Sequence, residues 1–258
     1  MLRFCCLGSG SEGNALVIEV TDGLWPTRVL VDNGFNLRQL RRRLARAELG
    51  LDALDAIVIT HEHGDHAAGV VALARRRRIP VFATAGTARA CELVARGCNW
   101  RQLKDGVTAA IGALAVRPFA VPHDASEPVQ FVFSDGAARL GLLTDIGSIT
   151  DTVVAALAGV HVFMLECNHD AEMLRTGPYP YSLKTRIGSD QGHLSNAQAA
   201  ALLARIDRGA LRSVIAAHLS KRNNRPALAR AALARVLNCA DAEVEVADQD
   251  AGLSWRAV

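Results

Sequence analysis

Short β-branched runs alternate with longer alanine- and leucine-rich stretches of helical period along most of the chain. Leu16–Val20 and Val29–Asp32 read as strands joined by a turn containing Asp22, Gly23 and Pro26. Leu37–Leu49 has apolar positions at helical spacing and a basic outer face, with Gly50 where a C-terminal cap is expected. Ala56–Thr60 is an unbroken apolar strand. A helix over residues 67–78 follows and cannot run through Pro80. Val81–Ala83 is a further strand, and Thr87–Arg96 a helix closed by Gly97.

The middle of the chain is richer in strands: Val107–Ile111, Leu114–Phe119, Val129–Phe133 and Arg139–Thr144. Alternation then resumes with a helix at Asp151–Ala158 and a strand at Val160–Leu165. Ser195–Ile206 is a helix in which Ser195 and Gln198 form a capping box. Ser213–Ala217 is a buried strand, and Pro226–Leu237 a helix with proline in its first turn. Hairpins in the centre exclude an ordinary doubly wound sheet. A four-layer αββα sandwich accommodates the order, as one α/β domain over residues 1–258.

Composition adds limits. Half of the 258 residues are hydrophobic but only 5% are aromatic, so aliphatic side chains must fill the core. A net charge of +3 permits a polyanionic partner without requiring one. The six cysteines contain no C-x-x-C pair, which disfavours a disulfide framework and fits a reducing cytosol. No segment has the length of a membrane span or of a secretory leader, so a cytoplasmic protein with no membrane partner is expected.

Chemistry concentrates after the strand Ala56–Thr60. His61-Glu62-His63-Gly64-Asp65-His66 puts three imidazoles and a carboxylate into six residues, a donor set that suits zinc or a similar ion. His123, Asp145 and His218 each stand where a later apolar segment ends, the position at which open α/β sheets place their sites. Together these residues are enough for two metals with an open position for water.

The pattern resembles the metallo-β-lactamase-fold hydrolases over nearly the whole chain. That resemblance implies an αββα sandwich, with His61, His63 and His123 on one metal, Asp65, His66 and His218 on the other, and Asp145 bridging. His63 stands where the di-iron redox members carry Glu, which favours hydrolysis. Five strings are similar to the small bacterial YycJ/WalJ-type, exonuclease-like branch: Gly8–Asn14, Pro122–Ala125, Glu166–Asp170, Gly192–Asn196 and His218–Asn224.

The implied reaction is phosphodiester hydrolysis at DNA or RNA ends by a hydroxide held between metals about 3.5–4 Å apart. Zinc suits the histidine-rich set, and manganese or iron also enter such N/O sites. The resemblance makes His193 the general acid, with Glu166 or a nearby carboxylate behind it; helix capping is its other reading. Asp65 is a ligand that can also orient the nucleophile. His169, with Asn168 beside it, either contacts substrate phosphate or fixes its loop. Lys221, Arg222 and Arg225, just beyond His218, are better placed for phosphate than the arginine runs 41–43 and 75–78, which read as solvated helix faces. Asp32 is expected to support the site's loops, and His161 to be structural. Two alternatives remain: a small-molecule hydrolase opening a cyclic phosphodiester, thioester or lactone, and an idle binding protein, which has no need of the full ligand set.

Overall fold

The computed structural model describes residues 1–23 and 25–258. Its strands are β1 (Leu2–Gly8), β2 (Ala15–Asp22), β3 (Trp25–Val31), β4 (Ala56–Val58), β5 (Val81–Ala83) and β6 (Trp100–Gln102). They continue with β7 (Ala109–Ile111), β8 (Leu114–Ala120), β9 (Val129–Ser134), β10 (Arg139–Leu143), β11 (Val162–Glu166), β12 (Ser213–Ala217), β13 (Glu245–Val246) and β14 (Leu253–Ala257). Two seven-stranded sheets result, ordered β14-β1-β2-β3-β4-β5-β6 and β13-β12-β11-β10-β9-β8-β7. Each has an antiparallel part, β1–β3 or β7–β10, followed by strands added in parallel. β14 returns to pair antiparallel with β1.

The sandwich follows from strands that are apolar on both faces. Phe4, Ile18, Val31 and Val58 of the first sheet meet Phe131, Phe133, Leu142 and Met164 of the second. The alternate positions Val17, Leu30 and Ile57 face outward onto α1 (Leu37–Arg46) and α3 (Val70–Arg77), through Leu40, Leu44, Val70 and Leu73. On the far side, Phe163, Leu165 and Val214 pack against α8 (Asn196–Arg205) and α9 (Pro226–Leu237), through Leu202, Leu203 and Leu233. Each such buried side chain contributes about 1.5–3 kcal/mol. These are the four layers that the sequence predicts. The remaining helices are short: α2 (Gly64–Ala67), α4 (Ala85–Ala90), α5 (Asp151–Ala156), α6 (Ala171–Thr176) and α7 (Tyr181–Ile187). No helix among the described residues is long and apolar enough to cross a membrane.

Several boundaries differ from the sequence expectation. The helix predicted over residues 67–78 is two pieces, α2 and α3, because Gly69 N donates to Asn33 O at 2.9 Å between them. The helix predicted at Thr87–Arg96 stops at Ala90. Pro26 lies within β3, opposite Thr21, rather than in the turn. The Ser195–Gln198 capping box and the proline in the first turn of α9 are as predicted.

Helix α1 ends before Gly50. Glu48 takes the left-handed conformation at φ 58°, and Leu49 N donates to Leu44 O at 3.0 Å, so the helix is closed two residues earlier than expected. A left-handed backbone costs a β-carbon residue about 1–2 kcal/mol, part of which glycine would return through the entropy of its unfolded state. Glu48→Gly is therefore expected to stabilise the fold by about 0.5–1 kcal/mol. Urea denaturation of the two proteins measures it, and an unchanged or lowered midpoint would contradict this account of the cap.

Candidate metal centre

Strand ends from both sheets converge on one place. Asp32 follows β3, Thr60 and His61 follow β4, and His63 starts the turn into α2, which carries Asp65 and His66. From the second sheet come His123 beyond β8, Asp145 beyond β10, Glu166 at the end of β11 and His218 directly after β12. Asp32 and His218 have φ of 57° and 54°, a conformation that bends the chain sharply as each strand ends. Two glycines bring the loops together. A β-carbon at Gly34 would collide with the Asp65 carbonyl, and one at Gly69 with the Phe35 carbonyl.

The donors form overlapping groups. Ligand atoms of His61, His63 and His123 lie within 4.8 Å of one another, as do those of Asp65, His66 and His218, and those of His61, His66 and Asp145. His66 Nε2 is 3.1 Å from Asp145 Oδ2 and 3.5 Å from Asp65 Oδ2. His218 Nε2 is 3.6 Å from both Asp65 Oδ2 and Asp145 Oδ1. Asp145 thus stands between the two histidine groups. Three of the atoms, His61 Nε2, Asp145 Oδ2 and His218 Nε2, are buried without a hydrogen-bond partner. An unsatisfied buried polar atom is costly. Three in one overlapping cluster of imidazole and carboxylate donors fit divalent cations.

The far side of each ring explains its orientation. The Thr60 hydroxyl, 2.9 Å from Asp32 Oδ2, donates to that carboxylate and is left to accept from His61 Nδ1 at 2.9 Å. His66 Nδ1 donates to Asp32 Oδ2 at 2.8 Å, and His123 Nδ1 to Gly192 O at 3.0 Å. Glu166 Oε1 accepts from His193 Nδ1 at 2.8 Å and from His218 Nδ1 at 3.3 Å. With Nδ1 engaged, Nε2 of each ring is left as the ligand atom. His63 is reversed: its Nε2 donates to Asp124 O at 3.1 Å, and its Nδ1 faces His123 Nε2 at 3.3 Å.

A sequence model of the β-lactamase superfamily domain matches residues 27–219, a span that includes all of these groups. The chain belongs to the metallo-β-lactamase superfamily. Exodeoxyribonuclease YycJ of Bacillus anthracis is 37% identical over 239 residues, 92% of this chain and 89% of that protein. Exodeoxyribonuclease WalJ of Streptococcus pneumoniae is 34% identical over 249 residues, 95% of this chain and 91% of that protein. Among solved structures, the metallo-β-lactamase fold protein YhfI of Bacillus subtilis superposes with a TM-score of 0.76 at 14% identity, covering 99% of this chain and 98% of that one. This superfamily member therefore has the fold and the branch resemblance that its sequence implies.

Electrostatics divide the rings. Burial holds His61 well below the usual histidine range. Burial also acts against charge on His66 and His218, but the carboxylates outweigh it: Asp145 and Asp32 raise His66 well above that range, and Asp145, Asp65 and Glu166 push His218 up to about 10. Despite their burial, the Asp65 and Asp145 carboxyls are held well below the usual carboxylate range, chiefly by His218 and His66.

An open cleft of about 350 Å³ lies over the cluster, lined by His63, Asp65, Asp145, Asn168 and His193 among others. All seven sequence-predicted metal ligands are brought together, and His193 stands beside them. The expected substrate contacts fare differently. Asn168 reaches the cleft, but His169 is buried, paired through its backbone with Ser195, and does not line it. Lys221 and Arg222 do not line it either; the Lys221 ammonium is taken by Glu12 at 2.7 Å and Asp250 at 3.3 Å. Arg43 turns back to the Leu7 and Gln249 carbonyls. His161 accepts from Arg139 N at the other end of the sheet, and Asp32 supports the loops as expected.

Sequence reasoning missed Arg186 and Tyr179, which line the cleft, and Asp124, which accepts from Arg186 Nε at 2.6 Å and approaches His123 Nε2 at 3.5 Å. Asp124 adjoins His123 in the chain, a signal that could have found it. The glycine loop Gly8–Asn14, joining β1 to β2, supplies Ser11 to the cleft lining, Ser9 Oγ to accept from His218 N at 2.8 Å, and Asn14 Nδ2 at 3.0 Å from His66 Nε2.

Asp32→Asn removes the anionic partner of His66 and is expected to weaken divalent-metal affinity by about 10–100-fold, measured by competition with a chromogenic chelator. Because the surrounding carboxylates raise His66 and His218, metal uptake at these rings is expected to displace protons. Affinity is expected to rise as pH increases from 7 towards 10. Calorimetry in buffers of different ionisation enthalpy should record net proton release; a pH-independent affinity would rule this out.

Proposed function

We propose that this protein is a metal-dependent exonuclease that hydrolyses phosphodiester bonds at DNA ends. The observation that carries the reading is the pairing of buried, unpartnered ligand atoms with a carboxylate-backed histidine, His193, at the edge of the same cleft. The exodeoxyribonuclease names of two relatives matched over most of their length support the choice of polymer. His61, His63 and His123 would hold one cation, Asp65, His66 and His218 a second, with Asp145 between them. Zinc is the favoured ion on the donor set, with manganese or iron as the other candidates. Such cations supply Lewis-acid activation of water and neutralise charge on the phosphoryl oxygens when bound.

The chain's own groups do the rest. Asp65 is the more accessible of the two acids, with its side chain 27% exposed against 2% for Asp145, and is the one that orients the attacking water. His193 keeps one proton on Nδ1, held by Glu166, and presents Nε2 towards the cleft to protonate the leaving oxygen. Burial disfavours its charge, but Glu166 and Asp145 outweigh burial and raise it above the ordinary histidine value of 6.5. Six cysteines, none in a disulfide, support a reducing, cytoplasmic setting.

The deciding experiment is cleavage of end-labelled single- and double-stranded DNA and RNA, with zinc or manganese, beside an Asp65→Ala/His66→Ala double mutant. Metal-dependent shortening of DNA by the wild type alone is the expected result. Hydrolysis of bis(p-nitrophenyl) phosphate or a thioester without DNA cleavage would replace the nuclease with a small-molecule hydrolase. His193→Gln is expected to lower kcat by about 10²–10⁴-fold. As the acid must be protonated and its pKa is raised, wild-type kcat should hold through neutral pH and fall above it. The mutant should lack that alkaline limb.

A further inference from the structure

One wall of the cleft is built by a segment that the proposed chemistry does not use. Helix α7 has no buried residue, yet Leu183, Arg186 and Ile187 fall on one of its faces at helical spacing and line the cleft. Tyr179 lines it from just before the helix. The chain has two tyrosines, and both, Tyr179 and Tyr181, lie here in the string Pro178-Tyr179-Pro180-Tyr181. The prolines on either side fix the backbone around Tyr179, so its ring is presented with little freedom to lose.

Arg186 is equally prepared. Its Nε donates to Asp124, which leaves the Nη groups without a protein acceptor among the described residues, on a side chain 61% exposed. A carboxylate-anchored guanidinium with its outer edge free is a fork for phosphate oxygens. The wall is tied to the reaction site: His193 N donates to Ile187 O at 2.8 Å, and a β-carbon at Gly192 would strike the carbonyls of Ile187 and Arg186. The cleft, at about 350 Å³, is at the lower end of small-ligand sites, about 300–1,000 Å³. That is room for a group of small-molecule size.

We infer that this wall is a subsite for one unpaired terminal nucleotide of a DNA strand, with the base on Tyr179, Leu183 and Ile187 and a phosphate on the free edge of Arg186. The inference rests on the nuclease reading and names what that site accepts: an end whose last base has left its partner. Aromatic stacking tolerates any base, so the subsite grips without reading sequence.

The test crosses protein and substrate changes. Wild type, Tyr179→Ala and Tyr179→Phe, each metal-loaded, are assayed on DNA with an ordinary or an abasic terminal nucleotide, at each end in turn. For the wild type, removing the base should raise KM about 5–150-fold, the value of one base–aromatic stack. Tyr179→Ala should show most of that loss on ordinary DNA and only a small further loss on abasic DNA, from Leu183 and Ile187, while Tyr179→Phe restores the wild-type pattern. Arg186→Ala should raise KM and reduce the salt dependence of KM by about one phosphate contact, with Arg186→Lys intermediate. Equal KM for ordinary and abasic ends, or losses that multiply in Tyr179→Ala, would overturn the subsite while leaving a nuclease. Failure of the wild type to cut any DNA would overturn the nuclease reading, and the subsite with it.

Discussion

Two carboxylates buried behind the cluster, Asp32 and Glu166, hold the rest of the site in place. Each lies outside the ring of proposed ligands and faces the back of it. Asp32 takes the Thr60 backbone N–H on one oxygen and the Thr60 hydroxyl and His66 Nδ1 on the other. Glu166 takes His193 and His218 on Oε1, and the backbone N–H groups of Leu194 and Ile146 on Oε2. A buried charge persists only when its lone pairs are filled. Filling them here fixes four imidazoles, directly or through Thr60, with the other nitrogen forward. Three of the proposed ligand rings, His61, His66 and His218, are thus oriented from behind.

The topology makes that arrangement economical. In both sheets an antiparallel stretch hands over to strands added in parallel, so each sheet has a group of C-terminal strand ends on one edge. Stacking the sheets over their shared apolar core brings the two edges together. Asp32 and Glu166 come from different sheets, as do His61 and His218. Neither half of the chain carries the full donor set, so occupation of the site is linked to the docking of one sheet on the other.

Much of this was legible in the sequence. His61–His66 could be read because six residues hold most of one donor set directly after an apolar strand. His123, Asp145 and His218 could be read because each follows a largely apolar run at a strand's end. Apolar runs buried on both faces marked the sandwich. The α6–α7 segment could not be read, since α7 buries nothing and its amphipathic signal points into an open cleft. Lys221 looked like a phosphate contact because it follows a ligand in the chain, but Glu12 and Asp250, distant in sequence, claim it. Arg186 looked like any surface arginine. The end of α1 was misplaced because Glu48, rather than the nearby glycine, takes the left-handed position.

The return of β14 to the edge of the first sheet carries with it the turn that precedes it. Gln249 in that turn donates to the Gly13 carbonyl at 2.7 Å and accepts from Glu12 N at 2.8 Å, gripping the glycine loop that leans on His66 and His218. During synthesis every proposed ligand emerges from the ribosome ahead of this brace. A nascent chain stalled just after His218 would carry the complete donor set beside a loop that Gln249 does not yet clasp. Bracing of that loop is therefore completed only when the C-terminal turn and β14 have docked on the first sheet.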